Sequence, residues 1–140
     1  MKKIAGFSFL AIIIIFSFMF ITNKKSYSDV TVIYQLPEDF DGGCVYVRYN
    51  QDNEKPLEIV NKELVIDVPE NGRVMTSSSS DVMTKLGWHK VKAFYVNEKQ
   101  ERIEEIPNEK FMNGQHSSTD NNPLSETYSI SFDGRNGHCN

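Results

Sequence analysis

Between Val30 and Phe132 the apolar residues recur with period two in short runs punctuated by turn residues, and this period constrains the fold more than any other feature of the chain. Alternation places every second side chain on one face of an extended segment, so each run can bury one face as a strand. Val30, Val32, Tyr34 and Leu36 alternate up to Pro37. Val45, Val47 and Tyr49 do so after Gly42-Gly43, and Leu64, Ile66 and Val68 do so before Pro69-Glu70-Asn71-Gly72. That last tetrad carries an Asn-Gly pair and leads into Arg73–Thr76, which predicts a tight hairpin. Val91, Ala93 and Tyr95 alternate with Lys92, Phe94 and Val96, so this strand carries bulk on both faces and belongs inside a sheet. Glu101–Ile106 holds only Ile103 and Ile106, too sparse to assign. Thr127–Phe132 closes the series with Tyr128, Ile130 and Phe132 on one side. Six or seven short strands without helical periodicity between them predict an all-β fold, an antiparallel β-sandwich of immunoglobulin-like or transthyretin-like type. Parallel pairing is disfavoured because no helical crossover segment is visible.

The N-terminus has a different character. Lys2 and Lys3 precede Ile4–Thr22, 19 residues without a charge, long enough to cross hydrocarbon as a helix. Ser26-Tyr27-Ser28 offers small residues at alternate positions, as a signal peptidase requires, so residues 1–28 read either as a cleaved signal peptide or as a retained membrane anchor. Both send residues 29–140 out of the cytoplasm, because the charge bias keeps the N-terminus inside. Attachment of a lipid at a cysteine following the apolar run is excluded, since the first cysteine is Cys44.

All 19 acidic residues lie from Asp29 onward, against 11 of the 15 Lys and Arg, so the exported part carries a net charge of −8. Nucleic acid is thereby disfavoured as a partner, because binding it depends on displacing phosphate counterions with cationic side chains. One domain accounts for the 112 residues. Residues 108–123 are polar and predict a long exposed loop, and Ser77–Ser80 predicts a shorter one.

The chemistry-bearing residues are few. Cys44 opens a strand and Cys139 follows the last one, which makes a disulfide conceivable outside the cytoplasm, with two free thiols as the alternative. His89, His116 and His138 lack ligand spacing, and no metal or cofactor is expected. Glu38-Asp39-Phe40-Asp41-Gly42-Gly43 has the carboxylate alternation a calcium ion favours, but it does not continue as a calcium loop and is read as a solvated acidic turn. Neither a GxSxG elbow nor a phosphate-binding glycine loop nor a zinc-protease helix motif occurs, so no catalytic residue is assigned. Among the aromatics, Tyr46 and Phe94 fall on the parity opposite the core and Trp88 stands at a strand entrance; these three form the candidate ligand surface.

Leu36-Pro37-Glu38-Asp39-Phe40 with Gly43 and Val45–Asn50, then Val68–Gly72 with Met75–Ser78, and finally Gly87-Trp88 and Phe94–Val96, resemble an uncharacterised bacterial family of small exported or membrane-anchored domains. The resemblance spans roughly Val32 to Val96 and implies an envelope-associated β domain of no assigned activity. The expectation is therefore a non-catalytic binding or structural module at a bacterial cell envelope, touching protein or glycan, and touching the membrane through residues 4–22 where these are kept. Two alternatives stand beside it. One is a small hydrolase with a site assembled around His89, His116 and the acidic turn, and the other is a calcium-dependent adhesion domain.

Overall fold

The computed structural model describes residues 27, 29–41, 43–111, 114–119, 122–132 and 139. The apolar segment expected to be a helix lies outside them, as does His138. Among the described residues no helix is long and apolar enough to cross a membrane.

Among the described residues nine strands form in chain order: β1 (Thr31–Pro37), β2 (Cys44–Arg48), β3 (Ile59–Val60), β4 (Glu63–Asp67), β5 (Arg73–Met75), β6 (Lys90–Val96), β7 (Arg102–Ile106), β8 (Gln115–Ser117) and β9 (Thr127–Ser131). A single helical turn, α1 (Asp81–Thr84), precedes β6. The strands make two sheets, one of five in the order β3-β4-β1-β6-β7 and one of four in the order β5-β2-β9-β8. One apolar core lies between them, built from alternate residues of both: Val32, Tyr34 and Leu36 of β1, Leu64 and Ile66 of β4, Val45 and Val47 of β2, and Ile130 of β9. The Tyr34 ring meets Phe132 edge-on at 5.5 Å across the two layers. The domain is therefore sandwich-like and largely β.

The sheets are mixed, which corrects the expectation of antiparallel pairing. Strand β1 is parallel to both β4 and β6, and β2 is parallel to β5. A parallel pair requires the chain to travel back to its starting end, and helices commonly do this. Here the second sheet does it instead. After β1 the chain runs through β2 before returning as β3 and β4, and after β4 it runs through β5 and α1 before returning as β6. Because each sheet serves as the crossover of the other, no helical signal was there to be read.

The same alternation overturns the hairpin expected at Pro69–Gly72. The two flanking strands, β4 and β5, belong to different sheets. The Asn-Gly pair is a corner: Asn71 Oδ1 accepts from Arg73 N at 2.9 Å, and Gly72 N donates to Pro69 O at 2.8 Å. Gly72 adopts φ +67°, and a Cβ there would stand 2.5 Å from the Cys44 carbonyl oxygen. Its own carbonyl accepts from Tyr46 N at 2.8 Å, opening the β2–β5 ladder. The glycine is needed for close approach of two backbones.

Strand β1 departs from the single buried face expected of it. Being central, it buries Ile33 and Gln35 as well as its core-facing residues. On that outer face Arg102 Nη2 binds Glu63 at 2.9 Å and Lys92 binds Glu105 at 3.0 Å. Oriented to satisfy its neighbours, the Gln35 amide donates to Asp67 at 2.8 Å and accepts from Arg102 Nε at 3.1 Å. The sparse segment Glu101–Ile106 thus contains a genuine strand, β7. Arg102 and Glu105 face outward and take part in these ion pairs, Glu104 stays exposed opposite Tyr95, and Ile106 reaches the core. Within residues 108–123, read as a loop, Gln115–Ser117 pairs with β9 as an edge strand.

Candidate binding cleft

Three parallel strands that end together create a common rim of loops. The turns after β1, β4 and β6, together with the start of the β7 approach, enclose a cleft of about 550 Å³ lined by Pro37, Glu38, Asp39, Val68, Pro69, Glu70, Val96, Asn97, Glu98 and Gln100. The two prolines and two valines give it an apolar floor. Four carboxylates, on three separate loops, stand around its mouth.

The rim is held by backbone as much as by side chain. Glu38 N donates to Val96 O at 3.1 Å and Val68 N to Gln35 O at 2.8 Å, tying each loop to the neighbouring strand. Asn97 organises the β6–β7 turn: its Oδ1 accepts from Lys99 N and from Glu101 N, each at 3.0 Å, and its Nδ2 donates to Glu101 Oε2 at 2.7 Å. Gln100 closes that turn at φ +62°. Several like charges around one concave surface raise the local negative potential, which attracts ammonium or guanidinium groups and favours sugar hydroxyls as donors.

The residues singled out from sequence scatter. Cys44 and Cys139 are joined as a disulfide with Cα atoms 5.8 Å apart, which fastens the C-terminal end of the chain to the start of β2. Tyr46 projects from the outer side of the four-stranded sheet, with the Arg73 guanidinium 5.9 Å from its ring. Phe94 lies on the outer side of the other sheet, half-buried beneath Arg102 at 5.1 Å and Lys92 at 5.8 Å. Trp88 is wholly exposed at the end of the domain opposite the cleft. Three aromatics on three different surfaces do not make one ligand platform. Parity identified Tyr46 and Phe94 as outward-facing, but it carries no information about which of two sheets a strand joins.

Neither alternative site is assembled. His89 precedes the first residue of β6, and its ring nitrogen Nδ1 contacts Gly87 O at 2.8 Å, whereas the acidic turn follows the last residue of the parallel β1. Seven residues of strand therefore separate them, roughly 23 Å at a rise of about 3.3 Å per residue. His116 stands on the edge strand of the other sheet, opposite Tyr128. Phe40, in the middle of the acidic turn, packs against the core. Among the described residues no three His, Cys, Asp or Glu side chains converge where they could hold a metal ion. The cleft itself escaped the sequence reading, because Glu38, Glu70 and Glu98 become neighbours only through parallel pairing.

Among the described residues, Tyr34, Tyr49 and Tyr128 form an electrostatically unusual group. Burial pushes the Tyr34 phenol well above the ordinary tyrosine range, and the nearby Tyr128 and Tyr49 push it further. Burial also raises Tyr49, aided by Tyr128 and Glu126. Tyr128 is raised by burial and partly offset by a hydrogen bond with the Gly114 backbone. Any Cβ at Gly114 would collide with the Tyr128 ring, so this tyrosine requires a glycine beside it. The cluster lies within the core, away from the cleft.

The fold is similar to that of a crystal structure described as "Putative Lipoprotein from Bacillus anthracis", with a TM-score of 0.60 and 19% sequence identity over 79% of this chain and 74% of that one. At such identity the likeness concerns the fold. No curated protein matches the chain. A family model does match, over residues 28–139, which is nearly all of the sequence beyond the apolar segment: the chain belongs to the family of unknown function DUF6843.

Proposed function

We propose that this protein is a non-catalytic module of a bacterial cell envelope, held outside the cytoplasm by Ile4–Thr22 and presenting its acidic cleft to cationic or hydroxyl-rich groups of an envelope protein or glycan. The observation that carries the compartment is the Cys44–Cys139 disulfide, because such bonds persist in oxidising surroundings and are rare in the cytosol. Similarity in fold to a protein described as a lipoprotein agrees with an envelope setting. Retention of the apolar segment is favoured over cleavage after Ser28 by Tyr27, which packs against the core and accepts from Val30 N at 3.2 Å. A cut at that point would strip this side chain from the fold.

The test has two parts. Protease added to intact protoplasts should digest the domain and leave the N-terminal segment with the membrane; a domain protected until the cells are lysed refutes the compartment. For the contact itself, a photoreactive side chain at Glu70 should yield a discrete crosslinked adduct in whole cells. That adduct should disappear when Glu38 and Glu98 are both changed to Gln. An adduct insensitive to these changes argues that the cleft charge plays no part.

A further inference from the structure

The pole of the domain opposite the cleft carries a feature that the proposed contact leaves unused. Trp88 is 100% exposed, and it is the only tryptophan in the chain. With His89 and Lys90 it borders a hollow of about 380 Å³ whose other wall is Asp29, Val30 and Thr31, the point where the chain enters the fold. A fully solvated indole leaves a large apolar surface in contact with water, which seating against another apolar layer would remove.

We infer that this pole docks on the membrane anchoring the chain, with Trp88 seated in the lipid headgroup layer. The inference rests on the reading that Ile4–Thr22 stays in the bilayer. The chain is fixed to the domain from Tyr27 onward by core packing. Only residues 23–26 lie between Thr22 and Tyr27, and fully extended they span at most about 18 Å. The entry point, and Trp88 beside it, is therefore held close to the bilayer surface. Indole rings favour this layer because one edge is apolar and the N–H can reach headgroup oxygens.

The charge at this pole is mixed, so the docking rests on Trp88 and the short tether. Lys62, Lys85 and Lys90 stand here, with Asp29 and Asp81 paired to Lys62 at 3.4 Å and Lys85 at 3.9 Å, and the connection from β2 to β3 brings the exposed Asp52, Glu54 and Glu58 to the same end. Lys24 and Lys25 lie in the connecting residues. Basic residues beside a membrane are attracted to anionic lipid. The acidic cleft lies beyond the full length of β1, roughly 23 Å further out. That exceeds two Debye lengths of about 8–10 Å in physiological salt, so an anionic bilayer barely repels it.

Because Trp88 is the sole tryptophan, its fluorescence reports this contact directly. Full-length protein is reconstituted into vesicles containing phosphatidylglycerol, prepared with either plain or brominated acyl chains in both leaflets. The expected result is emission at a shorter wavelength than for a water-exposed indole and a marked loss of emission with the brominated lipid. Protein that floats with the vesicles after an alkaline wash, yet emits equally in both lipids, overturns the docking and leaves the anchor intact. A short-wavelength emission unaffected by bromine points to a second copy covering Trp88 and also overturns it. Loss of protein from the vesicles on washing overturns the anchor, and the docking with it.

Discussion

Tyr34 is the residue whose position is hardest to reconcile with simple core packing. Its ring is fully buried between the sheets, and its hydroxyl is the one buried side-chain oxygen or nitrogen among the described residues without a hydrogen-bond partner. A buried donor left unmade costs about 1–3 kcal/mol, whereas removing the whole ring leaves a cavity costing about 3–5 kcal/mol. Tyr34→Phe is therefore expected to leave the urea midpoint unchanged or raise it, while Tyr34→Ala lowers it severely. A destabilisation of Tyr34→Phe comparable to that of Tyr34→Ala means that the hydroxyl has a partner. The surrounding cluster has a consequence at high pH. Tyr34, Tyr49 and Tyr128 are all raised in the folded state. Unfolded phenols ionise from about pH 10, so above that pH the folded state holds more protons than the unfolded one. Their contribution is fully present below about pH 10 and is lost as pH climbs toward the folded values. Phenolate absorbance should accordingly rise in two stages, the second coinciding with loss of the near-ultraviolet circular dichroism. Ionisation of Tyr34, Tyr49 and Tyr128 near pH 10 in protein that remains folded contradicts the burial argument.

Among the elements, the corner between β4 and β5 and the serine run beyond β5 show how local sequence is put to tertiary use. Thr76, buried at the end of β5, donates from Oγ1 to Lys55 O at 2.8 Å and accepts from Ser78 N at 3.2 Å. Ser78 Oγ in turn accepts from Leu57 N at 2.9 Å, and its carbonyl accepts from Asn50 N at 2.9 Å. The serine run is therefore partly a clamp that satisfies the backbone of the long β2–β3 connection. At the corner, Gly72→Ala meets both an unfavourable positive φ and the Cys44 carbonyl. An expected loss of about 1–3 kcal/mol follows from backbone strain of this kind. Chemical denaturation measures it, and a change within error shows that the corner relaxes freely.

For the molecule as a whole, the chain passes repeatedly between two sheets, and its C-terminal end is then locked to the start of β2. The Cys44–Cys139 bridge closes a loop with a sequence separation of 95. Chain-entropy reasoning assigns a loop of that length about 4–5 kcal/mol, most of it through the unfolded state. Changing both cysteines to Ser should therefore lower the unfolding free energy by up to this amount while the circular dichroism spectrum of the folded protein persists. A double variant as stable as the parent shows that the C-terminal attachment has no thermodynamic weight.

What the sequence determined by itself was local and one-dimensional. Period-two alternation located β1, β2, β4, β6 and β9, because a strand with one buried face must alternate, and the Asn-Gly turn pointed to β5. The same parity gave the core residues Val32, Tyr34, Val45, Val47 and Ile66. Alternation failed at Glu101–Ile106, where outward-facing side chains on a charged sheet surface need not be apolar, and at Gln115–Ser117, whose exposed edge leaves no apolar trace. Partner choice was decided only in three dimensions. An Asn-Gly turn is compatible with a hairpin or with a corner between layers, and the alternative taken depends on whether β5 finds β4 or β2. The cleft, the second buried face of β1 and the separation of Tyr46, Phe94 and Trp88 all follow from that choice, because hydrogen-bonded pairing joins residues far apart in the chain and a local pattern specifies a strand's faces but not its neighbours.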